Sequence, residues 1–203
     1  MKRKLLIVID MQKDFVDGSL GSKQAQAIVP RVQELIDSDE FDITLFTRDT
    51  HNEDYLDNTL EGKMLPVKHC IYETDGWQLV VKPKIEEYNG LSAIIDKYTF
   101  GSTNLVPTIT EAISNFESTY RLTIPDIAKE FIDTITIVGL CTDICVISNA
   151  LLLRAEFPDT RIICDASACA GVTPHRHECA LEVMRSCQIE VINTCPDMPN
   201  EKE

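Results

Sequence analysis

The sequence predicts an α/β protein built on a parallel sheet with helices on both faces. Three observations carry that prediction. Short, continuous apolar runs recur at Lys4–Ile9, Ile43–Thr47, Ala93–Ile95, Thr134–Val138, Arg161–Cys164 and Glu190–Ile192, the pattern of strands buried on both sides. Helical stretches lie between or beside several of them, at Ala25–Ser38, Asp126–Phe131, Ile144–Ala155 and Pro174–Cys187. Such alternation lays helices against a parallel sheet. Two of the runs also end in chemistry: Leu5-Leu6-Ile7-Val8-Ile9-Asp10, and Ile137-Val138-Gly139-Leu140-Cys141-Thr142-Asp143-Ile144-Cys145. Ligands of open α/β sheets bind beyond the carboxyl ends of the strands, so Asp10 and Cys145 are expected on one sheet edge.

Taken in chain order, the first run is short. It follows Met1-Lys2-Arg3-Lys4 in the manner of a signal peptide, but only five apolar residues precede Asp10, and no cleavage site follows. It reads as a strand. Residues 52–90 are polar and carry Gly62, Pro66, Gly76, Pro83 and Gly90, so long functional loops are expected there. Residues 101–125 read as an irregular insertion with one short helix. In the stretch from Ile144, the residues Ile144, Ile147, Leu151 and Ala155 fall at helical spacing and predict the stripe that packs on the sheet. The last helix opens on Thr173-Pro174, an N-cap followed by proline at the first helical position. The tail Pro196–Glu203 is expected to fray.

A chain of 203 residues with no linker or repeat is expected to form one domain, residues 1–203. The net charge of −14, with no basic cluster to offset it, argues against nucleic acid or an anionic membrane as partner. No run reaches transmembrane length. Eight cysteines without a secretory signal predict free thiols in a reducing cytoplasm rather than a disulfide framework. Cys164, Cys179 and Cys187 are expected to act as small hydrophobes. The pairs Cys141/Cys145 and Cys164/Cys169 lack structural-zinc spacing.

The candidate chemistry lies in two clusters. Thr142 and Asp143 are good N-cap residues, which would put Cys145 in the first turn of a helix. Free N–H groups and the dipole there favour a thiolate and can receive an oxyanion; alternatively, Cys145 is one more buried small residue. Asp10, closing an apolar strand, must be hydrogen-bonded, paired or protonated, so it is a base, a cap or a structural ion pair. Lys97, just past Ile94-Ile95-Asp96, is a solvated strand-end charge or the cation that tunes the other two. The second cluster is Asp49-Thr50-His51, whose outer side chains converge on extended chain, with His69 further on. One carboxylate and two imidazoles suit Zn²⁺, Fe²⁺ or Mn²⁺, although an Asp-x-His pair in a loop is more often plain polar surface. His175 and His177 read as surface residues.

Val8-Ile9-Asp10-Met11-Gln12-Lys13-Asp14-Phe15-Val16 with Gly18-Ser19-Leu20, then Lys97, then Gly139-Leu140-Cys141-Thr142-Asp143-Ile144-Cys145-Val146 resemble the isochorismatase-like cysteine hydrolases, in order and over nearly the whole chain. Thr47-Arg48-Asp49-Thr50-His51 and Leu65-Pro66 with His69-Cys70 resemble the metal-binding nicotinamidase/pyrazinamidase branch. The resemblance implies a three-layer α/β/α fold with a six-stranded, mainly parallel, Rossmann-like sheet. It implies Cys145 as nucleophile, Asp10 as proton acceptor and donor, and Lys97 supporting both. It further implies a cis bond between Leu140 and Cys141, an oxyanion hole from the backbone N–H groups of Cys141 and Cys145, and Phe15 as a wall of the substrate pocket. Asp49, His51 and His69 become ligands of one divalent metal, zinc first, with iron or manganese as alternatives. The implied reaction is nicotinamide plus water to nicotinate and ammonia; the alternatives are a metal-free hydrolase of an N-carbamoyl or ureido compound, and a non-catalytic ligand-binding relative. A homo-oligomer acting on a small-molecule amide in the cytoplasm is expected. The chain departs from the family pattern Trp-Pro-x-His-Cys at Leu65-Pro66-Val67-Lys68-His69-Cys70, which is one residue longer and lacks the tryptophan.

Overall fold

The computed structural model describes residues 2–84, 92–116 and 130–194. Six strands form one sheet in the order β3-β2-β1-β4-β5-β6: β1 (Arg3–Ile9), β2 (Ile43–Asp49), β3 (Ser92–Lys97), β4 (Ile132–Leu140), β5 (Arg161–Ala170) and β6 (Glu190–Ile192). Every adjacent pair is parallel. Leu5, Leu6, Ile7, Val8 and Ile9 are all 0% exposed. Successive strand residues face opposite sides, so both faces of β1 are covered. The three-layer α/β/α architecture is as expected.

The chain runs outward from β1 through β2 to β3, then returns to lay β4 against the other side of β1. That reversal is a topological switch point, where such sheets open a crevice. Asp10 follows one flanking strand and Cys145 the other. The two strands approach very closely at Gly139, whose φ is +120°; a Cβ there would lie 2.0 Å from the Ile9 carbonyl oxygen. Only glycine fits.

Helix α1 (Lys13–Val16) follows β1, and α2 (Lys23–Asp37) follows in turn. The Ser22 side chain caps α2 by accepting from the Ala25 N–H, and Ala25, Ile28, Val32, Leu35 and Ile36 form its buried stripe. It packs on β4 and β5, where Arg31 reaches the buried Asp165 carboxylate at 3.2 Å. The loop region holds α3 (Tyr55–Asn58), α4 (Leu60–Met64) and a 3₁₀ turn, Asp75–Trp77.

Three expectations about elements need correction. Strands β2 and β3 run two residues past their apolar cores, because register pairing carries the ladder on; Asp49 and Lys97 are thereby strand residues and direct register partners. Within the supposed irregular insertion lies the 12-residue helix α5 (Leu105–Phe116). Leu105, Ile109, Ala112 and Ile113 are buried at helical spacing, although interleaved threonines hide the period. After β4 the chain makes a π-helical turn, Thr142–Val146, before α6 (Ile147–Glu156) begins. A π turn rotates the helix that follows out of simple α phase. Accordingly α6 buries Asn149, Ala150 and Leu153, while Leu151 of the expected stripe is 37% exposed.

Helix α7 (Pro174–Ser186) begins as expected, with the Thr173 side chain accepting from the Arg176 N–H. The seven described cysteines are all free thiols. Cys164 is buried as expected, but Cys179 is exposed and Cys187 only half-buried. The tail Pro196–Glu203 and most of the helix expected over Asp126–Phe131 lie outside the described residues. No helix among the described residues is long and apolar enough to cross a membrane.

Candidate active site

At the switch point Asp10, Lys97 and Cys145 meet, each 5% exposed or less. Lys97 Nζ lies 2.7 Å from Asp10 Oδ2 and 3.3 Å from Asp49 Oδ1, and donates to Cys145 Sγ at 3.4 Å. Asp10 adopts φ of 47°; its N–H reaches the Thr47 carbonyl at 3.2 Å, and Thr47 Oγ1 donates to its Oδ1 at 2.6 Å. Oδ2 is fully buried and pairs with the Lys97 ammonium. Burial raises the Asp10 pKa above the carboxylate norm, with the Asp49 charge adding to the effect and Lys97 opposing it. Burial opposes the charge of Lys97, but Asp10, Cys145 and Asp49 outweigh it and hold the ammonium firmly protonated.

The expected side-chain cap at the start of the Cys145 turn is absent. Burial and the adjacent Asp10 push the Cys145 thiol well above its ordinary value, against the pull of Lys97. Neither Thr142 nor Asp143 caps the turn. Thr142 Oγ1 lies 2.8 Å from His177 Nδ1, and Asp143 Oδ1 accepts from the Val172 N–H at 2.9 Å. His177 is therefore half-buried and partnered, not plain surface, whereas His175 is exposed. The turn is held from below by the fully buried Asn149. Its Nδ2 donates to the Cys145 and Phe100 carbonyls at 2.8 and 3.1 Å, and its Oδ1 accepts from the Ser102 N–H at 2.8 Å. That ties the Cys145 turn to the loop leaving Lys97. The Leu140–Cys141 peptide is cis, as the resemblance implied.

Next to this trio, Asp49, His51, Glu61 and His69 bring donor atoms within 4.8 Å of one another. The 17-residue return from His51 to His69 is closed by backbone: the His51 N–H donates to the Cys70 carbonyl at 3.0 Å, and the Tyr72 N–H to the His51 carbonyl at 2.9 Å. Gln12 fixes Asp49, accepting from its N–H at 2.7 Å and donating to its carbonyl at 2.8 Å. Asp14 Oδ2 accepts from the Cys70 N–H at 2.7 Å, seating the residue after His69. The Phe15 ring lies 5.5 Å from the His69 ring, beside the cluster. Trp77, the only tryptophan, is buried beneath the Arg48 guanidinium, 3.5 Å from its ring centre.

The donor set fits a divalent ion. His51 Nε2 is buried and 2.9 Å from Asp49 Oδ2, yet has no aligned hydrogen-bond partner. Two such groups that approach without bonding are aimed at a common point instead. Burial disfavours both imidazolium forms, but Asp49 and Glu61 raise His51 and His69 to about 9. Against its own burial, the two imidazoles lower Glu61 to about 2; with Lys97 they also lower Asp49. Two carboxylates and two imidazoles are donor types suited to a divalent transition-metal ion. Glu61 was not legible in the sequence. It is one of several acids in a polar stretch, alongside Glu53, Asp54 and Asp57, and only the α4 backbone turns it inward.

Residues 4–195 match the Isochorismatase domain family. A nicotinamidase of Schizosaccharomyces pombe is 27% identical over 215 residues, covering 93% of this chain and 92% of the relative. The pyrazinamidase of Pyrococcus horikoshii, solved in complex with zinc, superposes with a TM-score of 0.72 at 25% identity, covering 95% of this chain and 99% of that one. A pyrazinamidase/nicotinamidase from Streptococcus mutans gives a TM-score of 0.74 at 27% identity, over 93% and 99% of the two chains. By sequence and by fold, the chain belongs to the isochorismatase domain family.

Proposed function

We propose that this chain hydrolyses nicotinamide to nicotinate and ammonia through a thioester on Cys145. The observation that carries the reading is Lys97, whose ammonium touches Asp10, Cys145 and Asp49 together and so joins a nucleophile and base to a metal cluster. The nicotinamidase and pyrazinamidase relatives support the substrate class. A metal-free hydrolase would have no use for four converging donors.

Burial and Asp10 disfavour the thiolate of Cys145, so the attack needs a base. The buried Asp10 carboxylate, paired with Lys97, accepts the Sγ proton. The sulfur adds to the carboxamide carbon, and the backbone N–H groups of Cys141 and Cys145 receive the oxyanion. Asp10 passes the proton to the amide nitrogen, the C–N bond breaks, and ammonia leaves. Asp10 then takes a proton from water as it attacks the thioester, and returns it to the departing sulfur. Lys97 keeps the Asp10 carboxylate accessible in a setting that would otherwise leave it protonated. Phe15 walls the ring site. A divalent ion held by Asp49, His51, Glu61 and His69, proposed to be zinc, would supply a Lewis-acid anchor for the pyridine nitrogen.

The ring-anchoring role is tested with two substrates. His51→Ala is expected to lose the ion and to raise KM for nicotinamide by about tenfold or more, at least the loss seen on removing a partner of a metal ligand. The rise for benzamide, which lacks the ring nitrogen, should be much smaller. Equal rises for both substrates would remove the anchoring role. Full nicotinamide turnover by protein containing no metal would remove the site from the reaction.

A further inference from the structure

Tyr55 is 3% exposed and carries no role in the reading above, yet it touches both imidazoles of the cluster. Its ring stacks on His51 with centroids 4.0 Å apart and planes 14° from parallel. Its hydroxyl donates to the Val67 carbonyl at 2.7 Å and lies 2.9 Å from His69 Nδ1. The same Nδ1 is 2.8 Å from the Val67 carbonyl. These three atoms form a closed triangle, and its proton inventory is limited.

The hydroxyl spends its single proton on the Val67 oxygen. Both neighbours of Nδ1 therefore present lone pairs to it, and a bare Nδ1 would face them unpaired in a buried setting, which is costly. Nδ1 must carry the hydrogen. In the neutral ring the lone pair is then on Nε2, which lies 3.5 Å from Glu61 Oε1 and 3.6 Å from Asp49 Oδ2. That is the tautomer a metal ligand needs, and outer hydrogen bonds of this kind fix tautomer and orientation. The stacked ring meanwhile holds the plane of His51, whose Nε2 faces the same carboxylates at 2.9 and 3.6 Å.

We propose that Tyr55 is a positioning residue for the metal cluster, locking His69 in the Nδ1–H tautomer through its hydroxyl and His51 in plane through its ring. The inference rests on the metal reading above. Full-length protein and its Tyr55→Phe and Tyr55→Leu variants are titrated with Zn²⁺ against a chromophoric chelator, and the metal-free forms are melted in parallel. Tyr55→Phe keeps the stacked ring and loses only the hydroxyl; its Zn²⁺ Kd is expected to rise roughly tenfold. Tyr55→Leu loses both contacts and is expected to approach roughly 100-fold, the range for outer-shell partners of metal ligands. A purely structural tyrosine would lower the melting temperature of the metal-free protein without changing Kd. A Phe variant that binds Zn²⁺ within about twofold of the parent overturns the proposal, and that variant decides alone if Tyr55→Leu does not fold. A parent protein that binds no Zn²⁺ overturns the metal reading, and this inference with it.

Discussion

Cys145→Ala is expected to abolish nicotinamide turnover while leaving the fold intact. Loss of a covalent nucleophile removes the whole thioester route, and in comparable cases costs on the order of 10⁶ in kcat. The structural cost is small. One buried sulfur and its 3.4 Å contact with Lys97 are lost, worth about 1 kcal/mol, or about 2–4 °C of melting temperature at this chain length. Circular dichroism melts beside ammonia release would separate the two effects. The geometry also bears on labelling. Because Cys145 is 5% exposed and its thiol is pushed up by burial, a bulky alkylating reagent should reach the exposed Cys179 first. A variant with residual turnover close to the parent would exclude Cys145 as nucleophile.

Asp10→Asn keeps the shape of the site but carries no proton from thiol to leaving group. A loss of about 10²–10⁴ in kcat/KM is expected, the range for a positioned acid–base group. The pH profile gives a second reading. In the proposed reaction the carboxylate form of Asp10 accepts the thiol proton, so activity should fall as pH drops through its pKa. Burial raises that pKa from the ordinary 3.8, against the pull of Lys97. The acid limb is therefore expected above the range of a solvated aspartate, and it should vanish in the residual activity of Asp10→Asn. An unchanged acid limb in that variant would assign the titration to another group.

How much of this was legible in the sequence follows from the physics of each segment. The six strands were readable because a parallel strand covered on both faces needs an unbroken apolar run, and such runs are short and distinct. The strand ends were not, since Asp49 and Lys97 are polar residues kept in the ladder by register with each other. The stripe of α6 was misread because a π turn at Thr142–Val146 shifts its phase, and nothing in residue types announces an extra residue in a turn. Asp10 and Lys97 stood out as charges at the ends of apolar strands, and Cys145 as a cysteine opening the helix that follows one. Glu61, Tyr55, Asn149 and Gln12 did not, because each acts through a loop or helix that delivers it to a distant partner. Local pattern names the strand-borne chemistry; the supporting shell exists only once the chain has folded.

The most direct measurement is nicotinate and ammonia release from nicotinamide by the purified protein, before and after chelation and after Zn²⁺ is restored. Equal amounts of both products, loss of turnover with the chelator, and recovery on adding Zn²⁺ are expected. No nicotinamide turnover by the zinc-loaded protein, with hydrolysis of an N-carbamoyl or ureido compound that is indifferent to chelator, would contradict the proposed function.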